Sequence, residues 1–515
     1  MNRRIEVLRS ITMVSAATYI EYALGLVVSI WIARTLGPAD FGRYAFVLWL
    51  CGWLMTCSNH ALTTSSTKFI AEADGAGEPD VASHIAHRLT RYQHISTLIV
   101  LALFVVVAGI VRPNEWRPFL PQVMLFVIIA VAAKANYFMM VAVEKGQERF
   151  EPASLSTVLS GVFGIGLIGA ATLAHAPLID FIALFAVACL TINLVNRLAF
   201  HRYCRPLKAG PIPAEISRRL SRHLYLTAGL VLLISFKSSM IEVFLLNMFS
   251  TSAAVGFFAI AATLTRGAVD LFSVGLTATL LPYMAKSFGK SGQEQAAQLL
   301  ADATRFYWAM GLVIAGVGLV VTPEIVTLMY GNRYIQAIPA IEATLVLAGL
   351  LLIGNSIAAF QIVVDRQDDR VRITVMALIT NALLGILLIP HFALAGAVMT
   401  YAGTRFAELG LSILYLRRIT AGGLPVAAMT RLLSVAIIAT VGAWLTVDLL
   451  HSRFGFLLGG VLFLAIFLPG SFLVRYWSDR DYLLLAVITD RLGPPGRMVM
   501  RMANTLQRSP AKSSS

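Results

Sequence analysis

Charge is what this sequence has least of: 13% of its 515 residues are Asp, Glu, Lys or Arg, against 58% hydrophobic, and the mean hydropathy is +0.77. Too few charged side chains are present to cover a water-facing surface of this size, which argues against a soluble globular protein. Acidic residues are scarcer than basic ones, 27 against 41, leaving a formal net charge of +14. Cysteine is rare as well. Cys51, Cys57, Cys189 and Cys204 show no paired-thiol spacing and read as small residues in or beside apolar runs. The sequence also lacks a glycine-rich loop ending in Gly-Lys-Ser or Gly-Lys-Thr, so no ATPase chemistry is expected. His84, His87 and His94, in HIAHRLTRYQH, have no carboxylate or cysteine at ligand spacing and read as solvated or headgroup-facing.

What is present is a series of apolar blocks near the length that carries a helix across roughly 30 Å of hydrocarbon. Fourteen are expected, at 11–33, 41–63, 92–111, 119–143, 155–175, 178–198, 224–248, 253–282, 306–330, 337–364, 371–390, 392–416, 430–450 and 454–474. Barrel strands would instead alternate over segments of about ten residues, so the expected fold class is an all-α polytopic membrane protein. The first block carries Glu21 in its middle and runs into RTLGPADFG, which reads as a span rather than a signal peptide.

Basic residues set the expected orientation. With the N-terminus in the cytoplasm, the outer loops hold Arg34, Arg43, Arg112, Arg117, Arg333 and Arg453, and the spans hold Lys134, Lys237, Arg266 and Arg405. The others fall on the cytoplasmic side, densest in RLAFHRYCRPLKAGPIPAEISRRLSRH at 197–223 and in the tail after Arg475. Both termini are therefore expected inside. Charge spread over alternating loops fits anionic membrane lipid as the partner and not nucleic acid.

The basic connection after the sixth block, with Pro206, Pro211 and Pro213, marks an expected boundary. RTLGPADFGRYAFV after the first block is echoed by MFSTSAAVGFFAIA at 248–261 after the seventh, with Gly42 falling on Gly256, Tyr44 on Phe258 and Ala45 on Ala259. This predicts two pseudo-symmetric six-helix lobes around a central cavity, 1–205 and 218–416, joined by a cytoplasmic basic linker at 206–217. An added helix pair at 417–474 and a basic cytoplasmic tail at 475–515 follow.

Ionisable residues at membrane depth are the sharpest functional signal, because one left in hydrocarbon costs at least about 2.5 kcal/mol. Lys134, Lys237, Arg266 and Arg405 are the cationic candidates for a substrate cavity; Glu21, Glu242, Asp270 and Glu408 are candidate charge partners or ion-coupling groups. Arg266 and Asp270, four apart, and Arg405 and Glu408, three apart, have the spacing to close locally on one helix face. Lys134 and Lys237 have no opposite charge one turn away. In NHALTTSSTKF, Asn59, Thr63 and Ser66 offer either helix-packing hydroxyls or a weak sugar-facing surface.

Four stretches carry a family resemblance: ARTLGPADFGRYAF at 33–46, LLPYMAKSFGK at 280–290, LMYGNRYIQAIPAIEATLVLAG at 328–349 and NALLGILLIPHFALAGAVMTYAG at 381–403. With the span pattern they resemble the polysaccharide flippases, the lipid-linked oligosaccharide exporters. That family lies within the wider group that also holds the multidrug extruders and peptidoglycan-precursor flippases. The resemblance implies a bacterial inner-membrane protein that moves an undecaprenyl-pyrophosphate-linked oligosaccharide between leaflets by alternating access, beside a polysaccharide polymerase and a chain-length regulator. It implies no cofactor beyond a proton or sodium ion as coupling cation, and no enzymatic activity. Two further readings stand beside it, a cation-coupled drug extruder or peptidoglycan-precursor flippase, and a non-transporting scaffold for polysaccharide enzymes. The stretch IEATLVLAG at 341–349 lacks the arginine that the family often has after the proline in this region, and carries Glu342.

Overall fold

No water is available in hydrocarbon to satisfy a bare peptide group, so an apolar run must pair its own backbone, and this chain does so as helix. The computed structural model describes residues 2–111, 116, 119–238, 241–420, 424–450 and 455–478; inside its helices some side chains, among them those of 2–22 and 230–238, lie outside that description. The helices are α1 (Asn2–Gly75), α2 (Pro79–Val111), α3 (Leu120–Gly146), α4 (Glu151–Leu173), α5 (Leu178–Tyr203), α6 (Ala214–Ser238) and α7 (Ile241–Phe249). They continue with α8 (Ser252–Met329), α9 (Ile338–Leu350), α10 (Gly354–Val363), α11 (Gln367–Ile419), α12 (Val426–Leu450) and α13 (Gly455–Leu473).

Among the described residues, eleven helical stretches are long and apolar enough to cross a membrane, where the sequence predicts fourteen. The three longest far exceed the roughly 20 residues one crossing needs: Ala23–Asn59 with 37, Gly292–Met329 with 38 and Gln367–Ile419 with 53. The backbone breaks inside two of these. Gly37 takes φ 73° just ahead of Pro38, and Ala393 takes φ 48°, ψ −120°. A third break, at Gly292 (φ 76°, ψ −167°), divides α8. The Gly-Pro stretch therefore interrupts α1 where the first span was expected to end.

The chain divides into two compact units, Met1–Gly256 and Phe257–Ser515. In the first, α1 packs against α2, α3 and α4, and α5 closes on α3 and α4. One buried cluster ties α1 (Leu62, Phe69, Ile70) to α2 (Ile85, Ala86, Leu89), α3 (Met139, Val143), Phe200 of α5 and Leu220 of α6. The α1–α2 turn closes through Glu78 N–H donating to Ala73 O at 3.0 Å, with Gly77 at φ 78° supplying the left-handed step.

The basic connection between α5 and α6 is docked along its length. Ser83 Oγ donates to Pro206 O and accepts from Lys208 N–H, both at 2.8 Å; His84 Nδ1 meets Pro211 O at 3.0 Å; Arg88 donates to Ser217 Oγ at 3.1 Å. Arg205 pairs with Asp74, and Arg219 with Glu72 at 2.8 Å.

Gly42 and Gly256, aligned in the sequence echo, pack on one another in this unit. A Cβ on Gly42 would overlap the Ser252 carbonyl oxygen and lie 2.9 Å from Gly256 N; one on Gly256 would lie 2.5 Å from Pro38 O. The two glycines thus face one another, and any side chain there would push the backbones apart.

In the second unit, α8 and α9 cross at Gly311 and Gly349, each glycine's missing Cβ making room for the other's carbonyl. Hydroxyl pairs Thr265–Thr344 and Thr304–Ser356, both at 2.9 Å, tie α8 to α9 and α10. The α12–α13 pair packs on α8 through Leu432, Ala436, Ala439, Phe463 and Phe467 against Ala309, Leu312 and Val320. Trp308 Nε1–H donates to Met429 O at 3.1 Å, and Tyr476 O–H to Arg305 O at 2.7 Å.

Candidate functional site

The candidate residues fall in both units. In the first, Lys134 sits half-buried on α3. Its ammonium lies 4.7 Å from the centroid of Tyr137 and 5.3 Å from that of Phe138. The helix that raises the charge also supplies π faces three and four residues on, which compensates part of the lost hydration. Tyr137 in turn meets Thr157 of α4, OH to Oγ1 at 3.2 Å. Two residues on from Lys134, a ladder of polar side chains crosses three helices: His94 Nε2 meets Asn136 Oδ1 at 3.1 Å, and Asn136 Nδ2–H donates to Asn193 Oδ1 at 2.8 Å. His84 and His94, read from sequence as solvated or headgroup-facing, thus each hold a hydrogen bond to a neighbouring segment.

Asn59 and Ser66 lie on one face of α1 and are buried inside the first unit, while Thr63 between them is half-buried. Asn59 Oδ1 and Ser66 Oγ have no hydrogen-bond partner among the described residues. Their neighbour Ser65 meets His223 Nδ1 of α6 at 3.0 Å. His223, just ahead of the seventh predicted span, is held below the usual imidazole range by burial first and by the charge of Lys68 second. Glu242, on α7, is also buried. The side chains of Glu21 and Lys237 lie outside the described residues.

In the second unit Arg266 is exposed and Asp270 half-buried on α8. Arg405 and Glu408 do close locally on α11, at 3.4 Å, with the guanidinium 5.4 Å from the Tyr401 ring centroid. Their i,i+3 spacing made this pair legible. Cys51 and Cys189 are buried and Cys57 and Cys204 half-buried, all as free thiols.

One buried acid escaped the sequence reading. Glu144, the third-last residue of α3, has no solvent exposure. In VAVEKGQERFE it sits one position beyond the apolar block and looks like a loop charge; only packing reveals that the helix carries it inward.

The fold and these membrane-depth charges define a polytopic all-α membrane protein with polar chemistry built into its helix bundles. The chain belongs to the polysaccharide biosynthesis protein family, whose sequence profile matches residues 7–288, more than half of it. Among solved structures, the lipid II flippase MurJ in an inward closed conformation is similar with a TM-score of 0.66 and 11% identity, over 89% of this chain and 97% of that one. A multidrug resistance MATE family transporter of the MOP superfamily in an inward-facing conformation gives 0.62 and 16%, over 80% and 98%. An outward-facing structure of such a transporter gives 0.51 and 15%, over 81% and 96%. At these identities the likeness is one of fold. No curated protein matched the sequence.

Proposed function

We propose that the protein is a flippase that moves a polyprenyl-pyrophosphate-linked oligosaccharide across the bacterial inner membrane for surface polysaccharide synthesis. The observation that carries this reading is membership of the polysaccharide biosynthesis family over residues 7–288. The protein carries its cargo without making or breaking a bond in it.

In this reading the chain crosses fourteen times as two six-helix lobes plus the α12–α13 pair, with both termini cytoplasmic. The lobes open a polar cavity alternately to each side while the lipid tail stays in the bilayer. Lys134, Lys237, Arg266 and Arg405 lower the cost of bringing the diphosphate through, and Glu21, Glu242, Asp270 and Glu408 set their charge balance or take a coupling ion. Asn59, Thr63 and Ser66 serve the sugar only if the first unit opens, since Asn59 and Ser66 are packed inside it. The natural partners are a polysaccharide polymerase and a chain-length regulator on the receiving side.

The test is reconstitution of the full chain in vesicles, offered a labelled polyprenyl-pyrophosphate oligosaccharide, lipid II and a cationic dye in separate runs. Transfer of the oligosaccharide lipid is expected. Selective transfer of lipid II would move the protein to cell-wall synthesis. Selective dye movement would make it an extruder, and no transfer of any of the three would leave the scaffold reading.

A further inference from the structure

The mechanism above uses no group near Glu144, yet this is a carboxylate with no solvent exposure at the end of a membrane helix. Three elements converge on it. The Ala153 amide, in the first turn of α4, and the Asn196 side chain of α5 both lie close enough to act on the carboxylate. Neither Glu144 oxygen, however, holds a hydrogen bond of normal geometry among the described residues, and neither does Asn196 Oδ1, although Asn196 is also fully buried. The Asn196 amide group instead reaches Ser156 Oγ at a long 3.5 Å, and Ser156 donates to Ala153 O at 2.9 Å. Ser160 Oγ, one turn further along α4, is likewise buried without a partner.

A buried ionised carboxylate short of donors, with a buried amide oxygen short of a donor on the neighbouring Asn196, is costly twice over. A single proton removes both costs. On Glu144 it turns an anion into a neutral acid whose O–H can donate to Asn196 Oδ1. We propose that Glu144 is a proton-binding site of the first unit, alternating between an ionised form that accepts from the Ala153 amide and Asn196 Nδ2, and a protonated form that donates to Asn196 Oδ1.

The proton comes from and returns to water at the α3–α4 turn, where Lys145, Glu148 and Arg149 are exposed and Glu148 holds φ 57°. The charged and titratable groups around the site are Lys145 on α3, Arg149 in the turn, Glu151 on α4, and Cys204 and Arg205 beyond α5, with Asp74 of α1 paired to Arg205. Cys204 registers the nearby acid: burial first, and the Glu144 carboxylate second, push its thiol up to about 12.

Ionised, the end of α3 is held both to the positive N-terminus of α4 and to Asn196 of α5; protonated, it keeps the tie to α5 and loses the charge that draws it to α4. Proton uptake therefore loosens α3 from α4. Coupling of this step to transport rests on the flippase reading; the protonation itself does not.

The test is infrared difference spectroscopy on the full chain in vesicles, without any lipid-linked substrate, between alkaline and acidic buffer. A protonated-acid C=O band is expected in the wild type and is expected to vanish in Glu144→Gln, which keeps an oxygen for the Ala153 amide. Asn196→Ala is expected to shift that band and its midpoint. A band unchanged in Glu144→Gln overturns the proposal. Should that variant fail to accumulate, an unshifted band and midpoint in Asn196→Ala overturn it. Repeating the wild-type titration in sodium against choline chloride separates ions, and a band governed by sodium instead of pH also overturns it. A titrating Glu144 in a protein that moves no oligosaccharide lipid would instead reject the transport reading and leave the proton site standing.

Discussion

At the scale of single residues, the ionisable groups are handled by what lies one helical turn away. Lys134 has no acid one turn away along its own helix, and its ammonium lies over the rings of Tyr137 and Phe138. Arg405 has both an acid and a ring. Because the Arg405 side chain is 41% exposed, its ion pair with Glu408 contributes little, on the order of a few tenths of a kcal/mol. For Lys134 the expected behaviour divides stability from activity. Lys134→Gln removes the cation–π contact, worth about 0.5–2 kcal/mol, and should slow headgroup transfer about tenfold or more if the ammonium meets the diphosphate. Thermal melting and vesicle transfer at matched protein levels measure the two. Transfer at the wild-type rate would remove Lys134 from the pathway. Glu144 was illegible for a different reason: a single position decides whether a charge belongs to a helix interior or to a loop, and apolar patterning does not resolve boundaries that finely.

At the scale of elements, most helices could be read from the apolar blocks, and the turns from their glycines and prolines. The extent of α1 could not, because a helical hydrogen-bond pattern spans the Gly37–Pro38 break and fuses two predicted crossings. The connection between α5 and α6 was legible as a boundary from its prolines, but not as a docked strap. Its fixings are side-chain contacts to Ser83, His84 and Arg88 on α2, too remote in sequence to be seen as spacing.

The contact between α1 and α6 should respond to acid. His223 is held below the usual imidazole range, so it folds neutral while the unfolded chain binds a proton near pH 6.5. Its contribution is fully present above that pH and lost as pH falls through the lowered folded value. Protonation would place a second positive charge beside Lys68. Hydrogen exchange across 62–70 and 214–224 is expected to quicken between pH 7.5 and pH 5, and His223→Gln is expected to flatten that response. Equal acid sensitivity in the variant would assign the effect elsewhere.

At the scale of the whole molecule, the membrane class was dictated by composition, while the division into Met1–Gly256 and Phe257–Ser515 was not. Sequence places a boundary at the basic linker; packing gathers α6 and α7 with the helices before them, because Leu220 and its neighbours complete the first unit's buried cluster. Orientation belongs to this scale too. In a variant lacking its four natural cysteines, Lys208→Cys is expected to react with an impermeant thiol reagent in inverted inner-membrane vesicles but not in intact spheroplasts. Labelling in spheroplasts would invert the topology drawn from the arginine and lysine distribution.

The strap between α5 and α6 has one more consequence, for the order in which the protein is made. The described residues of the cluster it covers all precede α7, with Leu220 and Leu224 the last to join. Once α6 has been inserted, every described residue of this cluster has been delivered, before most of the second unit has been synthesised. The nascent chain can close its first half early, and hold those apolar surfaces and paired charges away from wrong partners while the remaining helices are still being synthesised.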